Sequence, residues 1–250
     1  SMPWKPYGQV LHYAEQEQSM QDLRRLAAEN KLPPQSAWFA LPAKPEEELY
    51  DCETDPWQQR NRIDDPALAE VRDRLRREQE EWTYRTRDVH LLPEPLLMAA
   101  EKALGSRWAV FEGDAGLERL KAVRRAAVSG GEPDLSNPDE AVRYWAVERL
   151  GWRGALDTIE PSLKDPSPVV RIAAASWLGR GGRADRALPV LTAELKNPDP
   201  WTVVAALTGL DEMGDAALPA LAALDTIADK DENYTARLLM SLHARLDPKR

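Results

Sequence analysis

Residues 165–179 read DPSPVVRIAAASWLG. The same pattern stands 28 residues earlier at 137–151 (NPDEAVRYWAVERLG) and 32 residues later at 197–211 (NPDPWTVVAALTGLD). In the first two copies Pro138/Pro166, Val142/Val170, Arg143/Arg171, Ala146/Ala174, Leu150/Leu178 and Gly151/Gly179 coincide. Self-similarity at a fixed period of this size marks stacked units that bury one another's apolar faces.

Within each copy the apolar residues keep helical spacing, as in Val142, Trp145, Ala146 and Leu150, or Val170, Ala173, Ala174, Trp177 and Leu178. A second helix follows each, carried by Leu156, Ile159 and Leu163, by Leu188, Leu191 and Leu195, and by Leu218, Leu221 and Leu224. A final copy starts near 229, where Ala236, Leu239 and Leu242 stand 32 residues after Val204, Leu207 and Leu210. Four copies, starting near 137, 165, 197 and 229, exceed the roughly three such units needed for a stable stack. Asn137, Asp165 and Asn197, each followed by proline, are expected to cap the first helices. The pairs resemble HEAT repeats, in the short form of many bacterial proteins and of the phycobilin-lyase-like repeat families. Their period falls below the ~40–47 residues usual for HEAT units, which short connecting turns explain.

Of the 250 residues, 43% are hydrophobic and 30% charged, with a formal net charge of −9. Basic and acidic residues are interspersed, as in Arg72–Glu81, rather than gathered on one face, which argues against a nucleic-acid partner. No apolar run approaches the ~20 residues of a membrane-spanning helix, so no membrane role is expected. Location, periplasmic or cytoplasmic, depends on sequence upstream. Cys52 is the single cysteine, which excludes an internal disulfide and a multi-cysteine zinc site; it is expected to be a small apolar side chain in or beside a strand.

Before the repeats, residues 20–30 have the pattern of one helix, capped by Ser19 and ended by Asn30 and Pro33-Pro34. Glu48–Cys52 reads as a short strand. Asp65 and Pro66 open a longer helix to about Thr86, with Leu68, Val71, Leu75 and Trp82 near helical spacing. From Glu94 onward only helices are expected, at 96–105, 108–112 and 117–129.

The order of motifs over the first 90 residues carries a second resemblance. MPWKPYGQ at 2–9, Tyr13, residues 19–26, Glu48-Leu49-Tyr50-Asp51, Asp55-Pro56, Asn61, Asp65-Pro66 and Trp82 through Thr86-Arg87-Asp88 resemble the C-terminal subdomain of the type I sulfatases, nearest the N-sulfoglucosamine sulfohydrolase branch and its bacterial relatives. Cys52 and Arg62 stand where that family more often has leucine. The resemblance implies a small α+β subdomain over residues 2–90, a little sheet with a helix, followed over 94–250 by the HEAT-like α-helical solenoid. The fold class expected is therefore mainly α.

Type I sulfatases work through a Cys/Ser-x-Pro-x-Arg motif whose first residue becomes formylglycine, beside a divalent metal. Cys52 has no proline two residues on; Ser136 has Pro138 but Glu140 in place of arginine; Pro168 follows Ser167 one position too early. Asp64-Asp65 lies at the start of a helix, not in the family's metal motif. No catalytic or metal-binding residue is therefore assigned, and calcium and formylglycine are expected only in an upstream catalytic domain. His12, His90 and His243 are far apart, with no metal-ligand spacing. Tyr7, His12 and Tyr13 are the residues expected at the edge of a substrate pocket, since that subdomain can border it in the resembling enzymes.

Trp145, Trp152, Trp177 and Trp201 fit either a sugar-stacking strip or solenoid packing, and the apolar stripes favour packing. Arg143 and Arg171 are expected to form a ladder with acidic neighbours such as Asp139 and Asp165. The leading functional expectation is a non-catalytic C-terminal region of a sulfatase-like hydrolase. Its partners would be the catalytic domain and, on the repeats, a protein or a sulfated glycan. A bare strand edge near 49–52 would favour dimerisation. The alternatives are a free-standing HEAT-repeat interaction module and a bilin-lyase-like enzyme.

Overall fold

The computed structural model describes residues 2–9, 14–128, 131–227 and 234–247. It divides into two compact units, Ser1–Trp82 and Thr83–Arg250. The described residues are mainly helical and contain no β-strand. Among them no helix is long and apolar enough to cross a membrane.

The first unit holds α1 (Gln18–Ala28) and most of α2 (Ala69–Thr86). α1 begins two residues before its expected start, with Glu17 rather than Ser19 at the N-cap position. Asn30 ends it in the left-handed conformation, φ 53°, a position asparagine tolerates better than most residues. At the start of α2 the Asp65 side chain accepts the Ala67 N–H, and Pro66 opens a 3₁₀ turn into the helix.

The expected strand at 48–52, and with it the small sheet, does not form among the described residues. The Leu49 N–H is taken by the Asn61 side chain at 2.9 Å, and the Leu49 carbonyl accepts the Arg62 N–H at 2.7 Å. Two bonds to a loop are not a ladder, and a strand needs a neighbouring strand to complete its alternating pairs. Asp51 then turns the chain by accepting the N–H groups of Glu53 and Thr54. Cys52 sits in that turn, exposed rather than packed beside a strand.

The second unit contains α3 (Glu94–Leu104), α4 (Gly113–Ala127), α5 (Glu140–Trp152), α6 (Leu156–Ile159), α7 (Pro168–Arg180), α8 (Ala184–Glu194), α9 (Pro200–Glu212), α10 (Leu221–Leu224) and α11 (Tyr234–Leu246). The first helices of the repeats are α5, α7, α9 and α11. The last copy is described only from Tyr234, so its expected start near 229 lies outside the described residues. α6, α8 and α10, with 3₁₀ turns at Glu160–Lys164 and Gly214–Ala220, supply the second layer.

α7 packs against α5, α8 and α9, and its residues from Val169 to Gly179 are buried except Arg171. A helix apolar on all sides must be covered on all sides. One shared core runs through Leu178, Leu191, Leu207, Leu210, Leu224 and Leu242, joining successive pairs. The array is also covered from outside the repeats: α3 packs on α9, and the Trp145 indole N–H donates to the Leu91 carbonyl at 2.8 Å.

Glycine allows the closest approach between layers. A Cβ at Gly151 would stand 2.2 Å from Cγ of Trp177, so only glycine lets α5 rest on that ring.

Candidate functional site

The most regular chemistry in the molecule lies at the N-terminal ends of the first helices. Asn137, Asp165 and Asn197 do not cap those helices as expected. Each instead accepts the backbone N–H two residues on, from Asp139, Ser167 and Asp199, forming a turn that sets up the true N-cap. Asp139 then accepts the Ala141 N–H and Asp199 the Thr202 N–H, both within 2.9 Å.

An arginine one turn into the helix reaches back over each of the first two turns. Arg143 Nη1 donates to the carbonyls of Asn137 and Pro138 at 2.8 and 3.1 Å, and Arg171 Nη1 to those of Asp165 and Pro166 at 2.7 and 3.0 Å. The remaining nitrogens pair forward along the array: Arg143 with both oxygens of Asp165 at 2.8 Å, Arg171 with Glu194. Arg119 of α4 makes the equivalent pair with Asp139.

The ladder thus contains the expected Arg143, Arg171, Asp139 and Asp165, and is completed by Arg119 and Glu194. Arg119 was missed because α4 lies outside the repeated letters, and Glu194 because it belongs to a second helix. Val203 stands 32 residues after Arg171, so the ladder ends there.

Burial works to raise the carboxyl groups of Asp139 and Asp165, but the bonds from Arg119 and Arg143 and from the Ala141 and Ser167 N–H groups hold both below the usual aspartate value. The bond to Asp165 outweighs burial at Arg143 and raises its guanidinium.

A cleft of about 440 Å³ opens beside these rungs, lined by Pro138, Pro166 and Pro168 and by Arg119, Asp139, Glu140, Arg143 and Ser167. Ser167 is the N-cap residue of α7 but makes no capping bond, and its buried hydroxyl has no hydrogen-bond partner among the described residues. The N–H groups of Val169 and Val170, in the first turn of α7, likewise have no partner among the described residues. Glu140 lies near enough to Arg143 for its charge to help hold that guanidinium up.

Trp145 and Trp177 are buried, the latter donating to Glu148 at 3.2 Å and stacked under Arg180 at 4.3 Å. Only Trp152 is exposed, and Trp201 lies half-buried against Tyr234. The four do not make one strip.

Tyr7 meets Trp38 edge to face at 5.0 Å, and the Lys44 ammonium lies 5.8 Å from its ring centre. His12 and Tyr13 lie outside the described residues. His90 contacts Asp88 and His243 contacts Asp225. Among the described residues no group of three or more His, Cys, Asp or Glu side chains is placed to hold a metal ion.

The family model for HEAT repeats matches residues 156–242. The helix pairs are HEAT-like repeats. An ulvan-active sulfatase of Formosa agariphila is 38% identical over 96 residues, which make up 38% of this chain and 16% of that protein. The chain therefore matches about a sixth of that relative's length. No solved structure matches the chain.

Proposed function

We propose that this chain is the non-catalytic C-terminal region of a sulfatase-like hydrolase, in which residues 2–90 cap the catalytic domain and the HEAT-like array serves as an interaction scaffold. The observation that carries the reading is the 96-residue likeness to a sulfatase, taken with the order of motifs from Met2 to Asp88.

The physical state of the first unit supports it. Val71 and Leu75 form an apolar stripe along α2 that is 37% and 46% exposed, and Trp57 is exposed as well. A helix with an uncovered apolar stripe lacks the layer that would bury it. Residues 48–51 similarly have no strand neighbour among the described residues. On this reading the catalytic domain supplies both, and residues 48–51 become a strand of the expected α+β subdomain when it does.

The reaction, opening of a sulfate ester or sulfamate, belongs to that upstream domain with its formylglycine and metal; no residue of this chain is assigned to either. The purified chain, assayed with 4-nitrocatechol sulfate and added calcium, is expected to show no turnover. Measurable hydrolysis that follows the chain through purification would contradict the proposal.

A further inference from the structure

We infer that α11 is a gate on the array: it parts from α9 and α10 as one unit while the other helix pairs stay folded, and so uncovers the apolar face that its leucines cover.

Burial sets α11 apart. α7 and α11 are both 13 residues long, yet α7 is buried throughout Val169–Gly179 except at Arg171, whereas α11 buries Leu239, Leu242 and Leu246. Those leucines stand three and four residues apart, on one stripe of the helix. Tyr234 and Met240 of the same helix are 62% and 61% exposed. A helix of this length is marginal in water by itself, so its buried stripe is what holds it in place. Segments held by few buried apolar side chains open at lower free energy than the domain as a whole.

The arginine ladder stops short of α11. Arg119, Arg143 and Arg171 each pair forward to the next turn or helix, but Val203 stands where the next arginine would be. α11 is tied instead through His243 to Asp225 at 3.1 Å, and through Arg245 to the carbonyl and carboxylate of Asp211 at 2.7 and 2.8 Å. Side chains of both pairs are between 25% and 42% exposed, where such pairs contribute little.

The rest of the array does not need α11. α7 packs against α5, α8 and α9, and α8 packs against α9, with Leu178, Leu191, Leu207 and Leu210 in the shared core. In stacked repeats each unit is stabilised by its nearest neighbours, so one unit can part without unfolding the others. Leu207 and Leu210 of α9 and Leu224 of α10 share a core with Leu239, Leu242 and Leu246, and the open form bares that side of them.

Hydrogen–deuterium exchange of the full chain, read by mass spectrometry on peptides from α11 and from α7, tests the gate. The α11 amides are expected to exchange at least about tenfold faster than those of α7. Leu242→Ala should speed exchange in α11 by about thirtyfold, or up to the rate of an unprotected chain, and leave α7 unchanged. Equal protection of the two helices in the unmodified chain, or an equal rise in both from Leu242→Ala, would overturn the inference, since either means that α11 and α7 open together. The comparison in the unmodified chain decides the matter even where the variant does not fold. Neither outcome depends on the sulfatase reading.

Discussion

Arg143 of α5 and Asp165, at the start of the next repeat, form a two-bonded pair with both distances at 2.8 Å and side chains 11% and 8% exposed. The same guanidinium holds the carbonyls of Asn137 and Pro138, so one side chain closes its own turn and joins it to the next. Arg143→Ala leaves the Asp165 carboxylate partly buried without its charge partner. A loss of about 3 kcal/mol is expected, typical of breaking such a pair from one side. Urea unfolding followed by far-ultraviolet dichroism measures it, and a loss below ~1 kcal/mol would reduce the rung to decoration.

Acid should loosen the array through the same carboxylates. Asp139 and Asp165 have folded pKa values below their unfolded ones, so their contribution is fully present above the unfolded value of about 3.9 and is lost as pH falls through the depressed folded value. Melting temperature is expected to hold from pH 7 to about 5 and to drop below about pH 4. Asp165→Asn should begin less stable and show a shallower acid drop. An unchanged slope in that variant would remove Asp165 from the account.

The close approach of Gly151 to Trp177 gives a graded prediction. Gly151→Ala drives a methyl group into a ring fixed by Glu148 and Arg180, and should cost about 2 kcal/mol, as overpacking of a well-filled core does. For Gly179→Ala the nearest atoms are those of the Met213 side chain, which is flexible and can move aside. It should cost distinctly less. Reversal of that order in equilibrium unfolding would contradict the packing described.

For α2, substitutions on the bare stripe should leave the isolated chain as stable as before. Val71→Glu with Leu75→Glu is expected to change unfolding free energy by no more than ~0.5 kcal/mol per site, as for other surface positions. It should also reduce any self-association seen by analytical ultracentrifugation. In a protein that includes the catalytic domain the same changes should be strongly destabilising. Hydrogen exchange along α2, fast in the isolated chain and slow in the longer one, checks this directly.

The repeats were legible because their fold is written locally: Val, Ala, Trp and Leu at helical spacing suffice to place α5, α7 and α9. What escaped was set by partners distant in sequence. Nothing near Leu91 announces that its carbonyl will receive the Trp145 indole, or that α3 will lie on α9. The Arg119 rung was hidden for the same reason. At Glu48–Cys52 the apolar letters suit a strand, yet strand character depends on a neighbour, and here Asn61 takes the Leu49 N–H instead. The uncapped first turn of α7 could not be foreseen, since serine at that position ordinarily caps.

The most direct test of the proposed origin is the genomic sequence immediately 5′ of the codon for Met2. The account predicts an open reading frame continuing upstream in phase and encoding a Cys/Ser-x-Pro-x-Arg motif. An in-phase stop codon with no intervening start, leaving these residues as a free-standing protein, would contradict it.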